Sequence, residues 1–295
     1  MELTKNQEQI CFIVEVFMNK LGVIIALKAD IDIDAEFKKL KDMGCECCQV
    51  NVWDMSLYTD KNAELIRNAS EKYDVEISTL WTGWSGPREW NFTAGPDTIG
   101  LVPTAYRHIR LNELKDASDF AEKIGVKQIA THVGFIPETP NYPEFNELVV
   151  ALRNLANYMK QKGQFFLFET GQETPITLLR TIQAVGTGNL GINLDTANVI
   201  LYGKGNPVDA LDVFGKYVMD THIKDGFFPT DGMYLGRECR AGDGKANIPE
   251  VVKKLIVEYN YEGPFTIERE ISGDQQTADI VYAKELIEKA MACAK

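Results

Sequence analysis

Four short apolar runs in the second half of the chain each finish on a residue that can ligate a cation. They are FFLFE at Phe165–Glu169, GINLD at Gly191–Asp195, VMDTH at Val218–His222 and FTIE at Phe265–Glu268. One such ending means little, because strands commonly finish on polar residues at solvent. Four in succession, on strand-like runs separated by helix-like runs, describe a ring of parallel strands presenting ligands at one rim. Three carboxylates and one imidazole form a mostly hard, oxygen-rich set. It suits one divalent cation, Mn²⁺ or Mg²⁺ above Co²⁺ or Zn²⁺, with room for two substrate oxygens. A ketose can chelate through its carbonyl and a neighbouring hydroxyl, and the cation then stabilises the enediolate formed when the adjacent carbon loses its proton. A carboxylate beside that carbon can take the proton and return it.

The elements that must position these residues follow from the alternation of patterns. Strands are expected at Gly22–Leu27, Cys47–Asp54, Val75–Trp81, Gln128–Val133, Gln164–Thr170, Gly191–Thr196, Val218–Lys224 and Pro264–Glu270. Helices are expected between them at Ala35–Met43, Asn62–Tyr73, Ala105–Ile124, Glu144–Lys162, Thr177–Val185, Val208–Tyr217 and Pro249–Tyr259, with Thr277–Ala292 closing the chain. Eight strand–helix units predict an α/β protein, a (β/α)8 TIM barrel. Gly44, Gly125, Gly163 and Gly186 each follow a helical run, where a left-handed cap favours glycine. No linker divides the chain, so residues 21–295 read as one catalytic barrel and residues 1–20 as a short N-terminal helical extension.

Strand parity sharpens this reading, since alternate side chains face opposite sides. Opposite Glu169 stand Phe166 and Phe168; opposite Asp195, Ile192 and Leu194; opposite His222, Met219, Thr221 and Ile223; opposite Glu268, Phe265 and Ile267. The outward set is nearly all apolar, as a helix-covered barrel requires, and the four ligand candidates point inward.

Composition narrows the function classes. A net charge of 31 − 43 = −12 without a long basic run argues against nucleic acid or an acidic membrane as partner. The apolar stretch Ile10–Phe17 carries Glu15 and is too short to span a bilayer, and it lacks the marks of a signal peptide. Cys45, Cys47 and Cys48 have no second ligand pair for a zinc clip and read as reduced, buried thiols, which places the protein in the cytoplasm. No GxGxxG follows a strand and no Walker loop occurs, so a nucleotide-dependent enzyme finds no support.

The motifs FETGQE with Glu169, NLDTAN with Asp195, THIKDG with His222 and TIERE with Glu268 together resemble the xylose-isomerase-like barrel superfamily. The likeness is strongest to its sugar phosphate isomerase/epimerase members, among them ketose 3-epimerases, hydroxypyruvate isomerases and inosose dehydratases, and runs from about Leu21 to the C-terminus. It implies that Glu169, Asp195, His222 and Glu268 bind one divalent metal, and that Glu169 and Glu268 are the catalytic acid/base pair facing each other across a small carbohydrate. Asn198 departs from the pattern, since ketose 3-epimerases usually carry a substrate-binding histidine there. Asn can still donate a hydrogen bond.

Further substrate contacts are expected at His132, which ends the fourth predicted strand, and at Trp81, which could wall the sugar. A core histidine and core packing are the respective alternatives. Lys224 shares the face of His222 and could polarise a substrate oxygen or pair with Glu169 or Glu268. Glu270 shares the parity of Glu268. Trp84 lies further into its loop, and His108 has no assigned role. The long loop Gly226–Asn247 carries Arg237, Arg240 and Lys245; Arg240 is its best candidate for a phosphate or hydroxyl contact, with a solvated loop the equal alternative. Sugar and sugar phosphate stay undecided, and a homo-oligomer is left open. Of rival functions, a metal-dependent dehydratase would use the same enediolate. A non-catalytic sugar-binding barrel sits poorly with a complete ligand set. An endonuclease IV-like nuclease would need more histidines than His108, His132 and His222.

Overall fold

The computed structural model describes residues 19–294, so all but the last two residues of the predicted extension lie outside the described part. The strands are β1 Leu21–Leu27, β2 Cys47–Val52, β3 Glu76–Thr82, β4 Gln128–Thr131, β5 Phe165–Glu169, β6 Leu190–Asp195, β7 Val218–Ile223, β8 Asp225–Phe227, β9 Arg237–Cys239 and β10 Phe265–Ile267. Eight of them close into a barrel in the order β1-β10-β7-β6-β5-β4-β3-β2, every pairing parallel. β8 and β9 form a separate antiparallel hairpin. The helices are α1 Ile33–Asp42, α2 Asp60–Tyr73, α3 Gly95–Thr98, α4 Thr104–Lys123, α5 Pro143–Lys160, α6 Pro175–Val185, α7 Asn198–Leu201, α8 Pro207–Phe214, α9 Ile248–Tyr259 and α10 Asp274–Ala294. The expected (β/α)8 TIM barrel is therefore the observed fold.

Local sequence accounts for the boundaries. Asp32 caps α1 by accepting from the Ala35 amide at 3.0 Å, while acidic Asp34 and Glu36 open the helix and Lys39 and Lys41 close it, matching the helix dipole. Gly186 ends α6 at φ 65°, a left-handed turn that costs glycine no steric clash. In β5, Phe166 and Phe168 face the helices with their rings edge to face at 5.2 Å, while Leu167 and Glu169 turn inward. The main apolar core thus lies between strands and helices, and a small inner cluster of Trp81, Ala130 and Leu167 fills the barrel floor.

One expected orientation is overturned. Met219 does not face outward with Thr221 and Ile223, because the β6–β7 register slips between Ile192 and Asn193 and leaves Met219 unpaired in a bulge. Its side chain packs inside the barrel against the inner cluster, where Gly191 makes room for it. Past the bulge the parity resumes, and His222 still points inward.

Two long loops rise above the C-terminal ends of the strands, each pinned by one buried charge. Arg110 on α4 donates to the carbonyls of Ser85, Pro87, Thr98 and Gly100 at 2.6–3.3 Å and so gathers the loop after β3. The Asp225 carboxylate accepts from the amides of Gly226, Gly242, Gly244 and Ala246 at 2.8–3.0 Å and closes the loop that holds the hairpin. The loops meet where the Phe92 amide donates to the Met233 carbonyl at 3.3 Å. Cys45, Cys47 and Cys48 are buried free thiols. Among the described residues, no helix is long and apolar enough to cross a membrane.

Candidate metal centre

β5, β6, β7 and the residue following β10 bring Glu169, Asp195, His222 and Glu268 together, with one ligand-type atom from each all within 4.8 Å of one another. His222 Nδ1 stands between two carboxylates, 3.1 Å from Glu169 Oε1 and 3.2 Å from Glu268 Oε2. Its other ring nitrogen, Nε2, lies 2.9 Å from Gln49 Oε1, and the Gln49 amide donates in turn to Asn193 Oδ1 at 3.0 Å. With Nε2–H donating to Gln49, Nδ1 is the ring nitrogen turned to the carboxylates, and loss of its proton would leave the tautomer a ligand needs.

The donor set fits a divalent cation on two observations. Asp195 Oδ1 accepts from the Ala197 and Asn198 amides at 2.8 and 2.7 Å, whereas its buried Oδ2 accepts no hydrogen bond, although Lys224 Nζ lies 2.9 Å away. An oxygen held in place without a hydrogen bond of its own, with only the Lys224 ammonium beside it, is a ready ligand. Second, negative charge is concentrated here against its own burial. Burial pushes the Asp195 carboxyl up to about 8, despite Lys224 beside it. Burial also opposes a charged His222, yet Glu268 and Glu169 outweigh it and hold the imidazole well above its ordinary range. The cluster therefore favours positive charge, and these four residues could hold a metal ion.

Glu169 is the most tightly positioned of the four. Trp81 Nε1 donates to its Oε2, and Asn198 Nδ2 donates to its Oε1 at 3.3 Å, with His132 Nε2 3.4 Å from the same oxygen. Burial pushes its carboxyl up, but His132 and His222 together hold it below the usual value. In Glu268, burial is likewise outweighed, chiefly by Lys224 and His222, and the carboxyl sits well below its usual range. Burial depresses His132 despite Glu169. Lys224 is buried and pairs with Asp195, Glu268 and Glu270 at 2.9, 3.0 and 2.8 Å.

A cavity of about 320 Å³ opens over the cluster, and Glu169, Glu268, Glu270, His132, Asn198 and Trp81 all line it. Arg240 does not join them. It forms a two-pronged pair with Asp243, both contacts 3.1 Å, and stacks on Tyr282 of α10, 4.1 Å from the ring centroid. Trp84 is buried behind the cavity under Arg110, and His108 lies exposed on α4, 3.5 Å from Asn112.

Sequence reasoning passed over Gln49, Asn51, Trp53, Trp90, Tyr202 and Leu235. Gln49, Asn51 and Trp53 alternate along β2 and its continuation, so the inward parity of that strand could have found them. Trp53 touches Trp81, Trp84 and Trp90 with ring centroids 5.1–6.4 Å away. Gly83 lets the Trp53 ring in, since a Cβ there would lie 2.0 Å from it. Trp90 reaches the cavity only through loop folding, which carries no local signal.

Comparison with known proteins agrees with this architecture. The sequence profile described as "Xylose isomerase-like TIM barrel" matches residues 37–293. A xylose isomerase domain protein from Planctomyces limnophilus is 32% identical, with a TM-score of 0.86 over 94% of this chain and 99% of that one. A D-tagatose 3-epimerase-like protein superposes with a TM-score of 0.71 at 20% identity, covering 93% of this chain and 98% of the other. A xylose isomerase-like TIM barrel protein from Mycobacterium smegmatis, in complex with magnesium, gives 0.66 at 16% identity, covering 90% and 91%. A comparison with curated proteins found no match. With the profile spanning most of the chain and a relative at 32% identity over nearly all of it, this protein belongs to the xylose isomerase-like TIM barrel family.

Proposed function

We propose that the protein is a divalent-metal-dependent isomerase or epimerase of a small carbohydrate, moving a proton on a carbon beside a carbonyl. The observation that carries this reading is the pair Glu169 and Glu268, set on two sides of His222 Nδ1 and both lining one cavity. Glu169, Asp195, His222 and Glu268 would hold the ion. Mg²⁺ or Mn²⁺ is favoured by the oxygen-rich donors, and a family member is described with magnesium. When bound, the cation supplies Lewis-acid polarisation of the substrate carbonyl.

The protein's own residues do the remaining work. Both glutamates are held ionised below their usual range, so either can accept a carbon-bound proton; return on the other face comes from the opposite glutamate once it has taken a proton from a substrate hydroxyl or solvent. Trp81, Asn198 and the tautomer-fixing Gln49 hold these groups in place before substrate arrives. Asn198 and His132 face the cavity as neutral partners for sugar hydroxyls, and Lys224 donates toward Glu268 and Glu270 at its edge. On this reading residues 21–295 are one catalytic domain working in the cytoplasm.

Glu169→Gln and Glu268→Gln should each lower turnover by about 10²–10⁴-fold, with unchanged circular dichroism. Chelation should abolish activity, and Mn²⁺ or Mg²⁺ should restore it. Wild-type rates in both variants would remove the acid/base pair, and full activity in stripped protein would remove the metal. Dehydration shares the first proton transfer and then expels a β-hydroxyl, so an unsaturated product would assign the chain to that reaction instead.

A further inference from the structure

We infer that the substrate of this site is an uncharged sugar and not a sugar phosphate. The inference rests on the carbohydrate reading above and is carried by the charges and unpaired atoms of the cavity. Among the described residues that line it, none is a lysine or arginine, while Glu169, Glu268 and Glu270 are carboxylates. Lys224 is the nearest ammonium, and it is buried and already shared among Asp195, Glu268 and Glu270. With a divalent ion seated on Asp195 and a neutral His222, four carboxylates, one ammonium and the ion leave −4 + 1 + 2 = −1 around the site. A phosphate dianion brought into that field is repelled: Arg88, the cation at the mouth, is exposed and stacked on the Trp53 ring at 4.4 Å, so it offsets little of the desolvation.

Two features of the loop after β7 that suit a phosphate are already occupied. The backbone amides of Gly226, Gly242, Gly244 and Ala246 form an anion nest, but the Asp225 carboxylate fills it with four hydrogen bonds. Arg240 is turned to Asp243 and Tyr282.

What the wall offers instead is neutral. Asn51 Oδ1 is buried and unpaired, and Tyr202 Oη, buried beside Gln172, makes no well-formed hydrogen bond; both belong to residues lining the cavity. A weakly held phenol and an unpaired amide oxygen are matched by hydroxyls, which can both donate and accept. Around them Trp53, Trp81, Trp90, Leu201 and Leu235 make an apolar collar that can lie against the C–H face of a sugar ring. Binding here couples a ring face to aromatic carbon and hydroxyls to neutral acceptors, with no place for a second anionic group.

The chain has four tryptophans, and all of them lie in or beside this cavity within one aromatic cluster. Intrinsic fluorescence therefore reports binding without catalysis. The experiment titrates Mg²⁺-loaded protein with matched pairs: D-fructose and D-fructose 6-phosphate, D-tagatose and D-tagatose 6-phosphate, D-xylulose and D-xylulose 5-phosphate, checked by calorimetry. Free sugars should bind, each at least about tenfold tighter than its phosphate ester, and added salt should narrow the gap by screening the repulsion. Leu235→Lys, which adds a cation to the cavity lining itself, should strengthen the esters selectively. A phosphate ester that binds tighter than its free sugar overturns the inference. So does a panel in which no free sugar binds, or a gap that salt and Leu235→Lys both leave unmoved. Hydrogen exchange on a tightly bound ester would overturn this inference and keep the isomerase reading. A bound free sugar that never exchanges would do the reverse.

Discussion

Gln49→Leu isolates the link between the barrel floor and the metal ligands. Gln49 Oε1 sits 2.9 Å from His222 Nε2, and the Gln49 amide is itself held by Asn193. Leucine removes the only acceptor that Nε2–H has among these contacts. The buried imidazole then gives up its Nε2 proton and keeps the one on Nδ1, which Glu169 and Glu268 accept at 3.1 and 3.2 Å. Metal binding must undo that arrangement and leave an unpaired buried N–H behind, a cost of about 1–3 kcal/mol. The Kd for Mn²⁺ should therefore rise about 10–100-fold, within the range typical of lost outer-sphere partners. Gln49→Glu keeps an acceptor at the same place, and the unpaired Nδ2 of Asn193 can serve its second oxygen. It should bind metal at least as tightly as the wild type. Calorimetric titration of Mn²⁺ into stripped protein reads both values, with circular dichroism as the control for folding. Gln49→Leu within about twofold of wild type, or Gln49→Glu weakened as much as Gln49→Leu, would refute the tautomer argument.

Two further expectations concern stability. Burial pushes the Glu173 carboxyl up to about 8, above its unfolded value, so its contribution to stability is full at low pH and is lost as pH rises through about 8. The loss amounts to at most about 3–5 kcal/mol. Glu173→Gln should remove it, giving a Tm above wild type by at least about 5 °C in alkaline buffer and little difference in acid; a pH-independent gap in thermal melts would count against this. In Gly244→Ala, the added Cβ would lie 2.1 Å from Asp225 Oδ1, forcing the carboxylate out of its nest of amides. The loop 226–247 should then be nicked by trypsin at Arg237 or Arg240 well before the barrel is digested, and wild-type protease resistance would show that the Asp225 anchor matters little.

The barrel was legible because its signal is local and repeated. FFLFE alternates aromatic and inward residues within five positions, and each strand needs no knowledge of its neighbours to show its outward face. The four ligand candidates share that legibility, since they stand at strand ends on the inward parity. Met219 marks the limit: its bulge is a property of the β6–β7 pairing, and neither strand alone records it. The four-residue helices α3 and α7 and the β8–β9 hairpin are too short to display a period. Arg240 was misleading for another reason. Its charge is obvious in sequence, but Asp243, three residues on in the GDG turn, neutralises it. Trp90 and Tyr202 reach the cavity through tertiary folding of loops, held for Trp90 by the Arg110 staple.

The central claim is proton transfer beside a carbonyl by Glu169 and Glu268, and hydrogen exchange tests it most directly. Metal-loaded protein would be incubated in D₂O with a panel of ketoses and followed by proton NMR. The account predicts deuterium at the carbon next to the carbonyl of at least one bound sugar, lost on chelation and lost in Glu268→Gln. Absence of exchange in a sugar shown to bind the loaded site, or exchange that survives both chelation and Glu268→Gln, would contradict it.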